Sequence, residues 1–147
     1  MTTNVEAESR VALALIAAYR ATQFCVNGVS PPFILTVDEP NGDLAKCHAT
    51  HQVGCSAFIT AWNPGSQPTA HADNDAAQVR LLALLRGRNY PLLAGLGIDP
   101  TGQWEGEESV LVLGIDRKTA CEIGREFRQH GIVYAEADAV PRLLMLQ

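Results

Sequence analysis

The sequence predicts an α+β domain with a ferredoxin-like (βαββαβ) two-layer core and a mainly antiparallel sheet. From Ser56 to Tyr134 the predicted elements run strand, helix, strand, strand, helix, strand, the order that two interleaved right-handed crossovers produce. In that topology the first and third strands are central, and the run Ser109–Leu113 is apolar on both faces, as a central strand should be. The second strand is expected at an edge because Pro91 cannot donate to a ladder.

Composition indicates one domain over residues 1–147. The chain is 47% hydrophobic, with a net charge of -5 and a pI near 5.3, and a chain of this length can bury a sufficient core without disulfides or metals. Only 11 residues are basic, which disfavours nucleic acid as a partner. The apolar run Val11–Ala18 follows acidic residues and is too short to span a bilayer. We therefore expect a soluble cytoplasmic protein with reduced cysteines and no membrane partner.

Three added elements precede the core. Apolar residues at helical spacing predict a first helix from Asn4 to Arg20. Two short strands, Phe24–Val26 and Phe33–Val37, flank a turn-rich segment and are expected to pair as a hairpin. A short helix is predicted from Asp43 to Gln52. With a C-terminal strand, these elements are expected to extend or cover the core.

The core begins with a strand from Ser56 to Trp62 and a loop from Asn63 to Asn74. Asp75 resembles the start of a capping box, and the helix after it is expected to end before Gly87. The remaining predicted elements are a strand from Tyr90 to Ala94, a loop from Gly97 to Ser109, the strand Ser109–Leu113, a helix capped by Asp116, the strand Ile132–Tyr134 and a last strand, Leu143–Leu146.

The predicted topology brings three polar segments to one edge of the sheet: 63–74, 97–109 and 128–131. Polar groups on loops that a rigid sheet holds are typical of a binding site. The side chains expected there include His71, Glu108 and His130 together with the residues we predict to bind a ligand, which are Asn63, Ser66, Gln67, Asn74, Trp104, Glu107, Ser109 and Gln129.

Several runs of the chain carry a family resemblance: Ala18–Thr22, Thr60–Gln67, Asn74, Trp104–Ser109 and Phe127–Tyr134. Through these runs the sequence resembles the bacterial domain-of-unknown-function family 3293. The likeness covers nearly the whole chain. Members of that family tend to have proline where Glu105 and Glu108 stand here. The resemblance implies no activity, but it matches most of the polar positions that the topology places at one edge.

Chemical roles for these residues stay open. Glu107 is the candidate catalytic residue, a general base if partial burial raises its pKa, and it could equally hold the long loop closed. Trp104 could pack that loop onto the core or stack on a planar ligand. Ser66 and Ser109 lack a Gly-x-Ser-x-Gly elbow. Asn63-Pro64-Gly65 favours a structural turn, although direct ligand contact remains an alternative.

No cofactor or metal is predicted. Cys47, His51 and Cys55 are spaced four residues apart, but Gly54 interrupts the helix that would align them, and a structural zinc site normally needs four ligands. Three functions remain: a small-molecule ligand-binding or regulatory module, a hydrolase-type enzyme that uses Glu107 with Ser66 or His71, and a protein-interaction module or homodimer that pairs through a sheet edge.

Overall fold

A computed structural model of the protein describes residues 2–146, with side chains from residue 9 onward, and confirms a mixed helix-and-sheet architecture. Four helices are described: α1 (Thr2–Ala21), α2 (Gly42–Thr50), α3 (His71–Gly87) and α4 (Arg117–Glu126). Seven strands are described: β1 (Gln23–Val26), β2 (Phe33–Leu35), β3 (Ser56–Thr60), β4 (Leu92–Ile98), β5 (Glu107–Leu113), β6 (Gly131–Ala135) and β7 (Arg142–Met145). A 3-10 turn, Pro64–Ser66, follows β3.

The strands form one antiparallel sheet in the order β2-β1-β4-β5-β3-β6-β7. Strands β3 and β5 pair in the middle, with Phe58 opposite Leu111 and Thr60 opposite Ser109. The expectation that the strand after Pro91 lies at an edge is wrong, because β4 is paired with β1 on one side and β5 on the other. Pro91 precedes the strand, so the ladder does not need its missing N–H. The edges are the short strands β2 and β7.

Strand alternation divides the core into two buried clusters, one on each face of the sheet. The first cluster joins Ile59 and Val110 to Leu81 of α3 and Ile123 of α4. The second contains Phe58 and Leu111 with Phe24 of β1 and Leu44 of α2. Helices therefore pack against both faces of the sheet. Helices α3 and α4 lie on one face, and α2 lies on the other.

Local capping explains where two of the helices begin. The Asp116 side chain accepts a 2.7 Å hydrogen bond from the Thr119 N–H, as expected from the sequence, and Asn41 caps α2 in the same way through the Leu44 N–H. The predicted capping box at Asp75 is wrong, because α3 begins four residues earlier, at His71, without a side-chain cap.

Two further boundaries differ from the prediction and change the site. Strand β4 continues to Ile98 and β5 begins at Glu107, so Gly97 and Glu107 lie opposite each other in the sheet rather than on a loop. The connecting loop is correspondingly shorter, and the Glu107 side chain is carried by a rigid strand. Within residues 2–146, none of the helices combines the length and the apolar character needed to cross a membrane.

Candidate functional site

A cavity of about 490 Å³ opens where β3 ends. Its floor includes Phe24 and Phe58, whose rings meet edge to face with their centroids 5.3 Å apart. Its walls come from α1, the 3-10 turn, the first turn of α3, the β4–β5 loop and the segment between α4 and β6. Elements that are distant in the chain thus meet around one concave surface, as is typical of small-molecule sites.

The structure brings most of the predicted site residues together at this cavity. Those in its wall are Asn63, Ser66, Asn74, Trp104, Glu107, Ser109 and Gln129. Gln67, the remaining one, is exposed and lies outside the wall. His71 and Glu105 also line the cavity, whereas Glu108 and His130 do not.

A hydrogen-bond network centred on Asn63 shapes one side of the cavity. Asn63 has a left-handed backbone (φ 48°, ψ 61°), which asparagine tolerates better than most residues. Its Oδ1 accepts bonds of 3.1 Å from the Thr69 N–H and from Asn74 Nδ2, and its own N–H donates to Asn74 Oδ1 at 2.8 Å. Asn74 is 1% exposed and also donates to the Thr69 carbonyl. Both ends of the Asn74 amide are thus hydrogen-bonded to Asn63 and Thr69, and these bonds connect the 63–70 loop to α3.

Glu107 receives one hydrogen bond from this network. Asn63 Nδ2 donates to Glu107 Oε2 at 3.1 Å, and among the described residues no hydrogen bond involves Oε1. Burial raises the pKa of the Glu107 carboxyl above its usual 4.5, and the bond from Asn63 opposes this rise only in part. The carboxyl group is therefore held in place on one side and retains an unoccupied acceptor on the other.

Trp62 lines the cavity with an unsatisfied donor. Its side chain is 7% exposed, and its Nε1 is buried without a hydrogen-bond partner among the described residues. The indole ring lies 5.6 Å from the His71 ring, tilted by 51°. Next to this pair, His71 Nε2 and Glu105 Oε2 are 2.7 Å apart and largely exposed. This contact joins the first turn of α3 to the β4–β5 loop across the cavity wall.

Ser66 has a partner that the sequence did not assign. Ser66 Oγ lies 2.7 Å from His130 Nδ1, at an exposed position, and Ser66 has a positive φ of 57°. Gln129 is 9% exposed, and its Nε2 donates to the Trp62 and Phe127 carbonyls. Among the described residues, neither Ser66 nor His71 forms a hydrogen bond with Glu107, so the pairs proposed for a hydrolase are not formed in this structure.

Sequence reasoning missed the apolar part of the cavity. Tyr19 of α1 and Thr22, which follows α1, line it, as do Phe24, Phe58 and Trp62. Burial, the largest cause, raises the pKa of Tyr19 to about 12, and the negative charge of Glu107 adds to the rise. The sequence predicts Tyr19 in a helix and Phe24, Phe58 and Trp62 in strands, without placing any of them at the site. The signal that could have found Tyr19, Thr22 and Trp62 is their place in the runs that carry the family resemblance, Ala18–Thr22 and Thr60–Gln67.

The cysteine and histidine residues of α2 do not assemble a metal site. Among the described residues there is no group of three or more histidine, cysteine, aspartate or glutamate side chains suited to a metal ion. His51 Nδ1 contacts the Cys47 carbonyl at 3.0 Å. His48 Nε2 lies 2.7 Å from Ser56 Oγ, and burial lowers the pKa of His48. None of these residues lines the cavity.

Fold and site together define a mixed helix-and-sheet domain with an aromatic cavity that holds a carboxylate. The model of the family described as protein of unknown function (DUF3293) matches residues 59–132, half of the chain. The protein therefore belongs to domain-of-unknown-function family 3293. The match runs from within β3 to the start of β6 and excludes the cavity wall supplied by α1 and β1. Searches of curated proteins and of solved structures find no match.

Proposed function

We propose that this protein is a non-catalytic, small-molecule ligand-binding or regulatory domain whose site is the cavity at the end of β3. The observation that carries the proposal is the cavity itself, about 490 Å³ in volume and lined by aromatic rings with a few convergent polar groups. Cavities of this size and chemistry are the usual form of small-molecule sites.

The hydrogen bonds suggest different roles for the predicted ligand-binding residues. Asn74 is engaged by protein groups, which favours a positioning role, and Gln129 makes two bonds to carbonyl groups. Glu107 retains an acceptor atom, and Trp104 is 37% exposed. We infer that Glu107 and Trp104 contact the ligand directly, with Ser66 and Ser109 beside them, and that Asn63 holds Glu107 in position.

Intrinsic fluorescence offers a direct test, because the two tryptophans of the chain both line the cavity. A fragment library screened by tryptophan fluorescence should give hits that also raise the melting temperature. A ligand at 100 times its Kd stabilises the folded state by about 2.7 kcal/mol.

The site assignment is tested by a blocked variant. Ala18 lies on α1 in the cavity wall, and Ala17, also exposed, lies outside it. Ala18→Phe should abolish the shifts by filling the cavity, and Ala17→Phe should preserve them. Hits that survive Ala18→Phe unchanged would show that ligands bind elsewhere, and an absence of hits would contradict the proposal.

A hydrolase-type enzyme is the second candidate. The raised pKa of the Glu107 carboxyl favours it, because a general base works best when its pKa approaches the working pH. An ester and amide substrate panel should then reveal a turnover that Glu107→Gln lowers by about 100-fold or more, as expected for loss of general-base catalysis. Full turnover by the variant would exclude Glu107 as the base.

The strand order also supports a finer description of the fold. We infer that β3, α3, β4, β5, α4 and β6 form a ferredoxin-like core. The order β4-β5-β3-β6 and the antiparallel pairing of these strands support this inference. On this view, the β1–β2 hairpin and β7 extend the core at its two sides. An experimental structure would test it through the handedness of the two crossovers.

A further inference from the structure

The charge of the cavity wall is one-sided. The ionisable side chains that line it are Tyr19, His71, Glu105 and Glu107. Of the residues whose side chains the structure describes, no lysine or arginine lines the cavity. Glu105 is paired with His71, whereas Glu107 has only the neutral amide of Asn63 as a partner. The cavity therefore presents a carboxyl group that lacks a positive counter-charge from the protein.

A partly buried carboxylate without a counter-charge is unfavourable, because burial removes water and the protein supplies no cation in its place. In the wall of an open cavity, a ligand can supply the missing charge. The unoccupied Glu107 Oε1 could accept an N–H from such a ligand while Asn63 holds Oε2. An anionic ligand would instead add like charge beside Glu107 and Glu105.

Aromatic rings give the cavity a second feature suited to cations. Five of the nine phenylalanine, tyrosine and tryptophan residues of the chain line it: Tyr19, Phe24, Phe58, Trp62 and Trp104. The faces of such rings attract ammonium groups through their quadrupoles and also bury the apolar part of a ligand. Rings around a carboxyl group are a chemical match for an amine that carries an apolar or aromatic group.

We propose that the ligand is a small organic cation, an amine attached to an aromatic or apolar group, with its ammonium group at Glu107 and its apolar part against the rings. This inference rests on the proposed function and adds the chemical class of the ligand.

Three probes that differ chiefly in charge test the inference by isothermal titration calorimetry. Tyramine is cationic at neutral pH, tyrosol replaces its ammonium with a hydroxyl, and 4-hydroxyphenylacetate is anionic; all three keep the phenol. Tyramine should bind at least about 10-fold more tightly than tyrosol, since loss of a partly desolvated charge pair is costly. The anion should not bind measurably.

Two neighbouring carboxylates provide a matched pair of variants. Glu107→Gln keeps the shape of the side chain and an acceptor for Asn63 but removes the charge. Glu108→Gln changes the net charge equally at an exposed side chain outside the cavity wall. Glu107→Gln should bring the affinities for tyramine and tyrosol within about threefold of each other, whereas Glu108→Gln should leave the 10-fold difference in place.

The outcomes separate this inference from the proposed function. Equal or tighter binding of tyrosol or 4-hydroxyphenylacetate would overturn the cation assignment and leave a small-molecule site standing. A tyramine preference that persists in Glu107→Gln would also overturn it. If none of the three probes binds the wild-type protein, the cation assignment fails, and the fragment screen with Ala18→Phe alone decides whether the cavity is a ligand site.

Discussion

The two faces of the sheet bury neighbouring residues of the same strands, and each carries a cavity, of about 490 Å³ over Phe58 and of about 410 Å³ beside α3 and α4. On one face, α3 and α4 close over Ile59 and Val110, and Leu81 of α3 is fully buried. On the other, Leu44 of α2 and Tyr19 of α1 pack on the sheet, and the cavity lies over Phe58. The faces therefore differ in packing and lining: Leu81 of α3 is fully buried, whereas the cavity over Phe58 has aromatic rings, the Glu107 carboxyl group and the half-buried Leu15 of α1 in its wall.

The first prediction tests the packing of α3 against the sheet. Leu81→Ala should lower the free energy of unfolding by about 2–5 kcal/mol, because the fully buried Leu81 side chain would leave a cavity between α3 and the sheet. Leu15→Ala, at a half-buried position in the cavity wall, should cost roughly 1 kcal/mol or less, since its surroundings are already open. Urea unfolding of both variants measures the difference. Equal losses would contradict the contrast between the faces.

The second prediction uses two glycines of β4 that lie two residues apart on the same face. A Cβ at Gly95 would lie 2.6 Å from the Phe58 ring and 3.1 Å from the Cys25 carbonyl oxygen, whereas a Cβ at Gly97 would have no neighbour nearer than 3.9 Å. Gly95→Ala should therefore cost about 1–3 kcal/mol through overpacking.

Gly97→Ala is the control, and we expect it to be neutral or to stabilise by about 0.4–1 kcal/mol by restricting the unfolded chain. Because Gly97 lines the cavity, the same variant should weaken ligand binding. Thermal unfolding and titration of the two variants would sharpen the comparison. A stable Gly95→Ala protein would show that Phe58 can move away from β4.

The third prediction has the smallest expected effect and concerns pH. The folded-state pKa of Glu107 is raised, so the folded chain holds this proton more tightly than the unfolded chain. Its contribution to stability is greatest below the unfolded pKa and is lost as the pH rises through the folded pKa. Glu107→Gln should remove that loss and stabilise the protein at neutral pH, by on the order of 1 kcal/mol.

The groups near Glu107 do not reverse this sign. Tyr19 remains neutral there because its pKa is about 12, Asn63 is uncharged, and Glu105 is paired with His71. Denaturant unfolding of wild type, Glu107→Gln and Glu108→Gln from acidic to neutral pH tests the prediction. A Glu107→Gln protein that is less stable than wild type at neutral pH would show that the carboxylate is a structural group rather than one held for a ligand.

Local patterns identified most of the elements, because the short apolar runs of β3, β5 and β6 and the apolar stripes of α3 and α4 are local properties of the chain. It erred where tertiary contacts override local signals. Asp75 resembles a helix cap, yet α3 begins at His71, and Asn74 in its first turn bonds to Asn63 across the loop. Pro91 suggested an edge strand, yet β1 pairs with β4 beyond the proline.

The sequence by itself determined the mixed helix-and-sheet class of the fold, the turn Asn63-Pro64-Gly65 and most of the polar residues that line the cavity at the end of β3. Only the tertiary structure decided that rings from α1, β1 and β3 join the site, that Ser66 meets His130 and that Glu107 has no cationic partner within the part of the chain that the structure describes. The physical reason is that burial and charge pairing depend on residues distant in the chain, whose contacts no local pattern records.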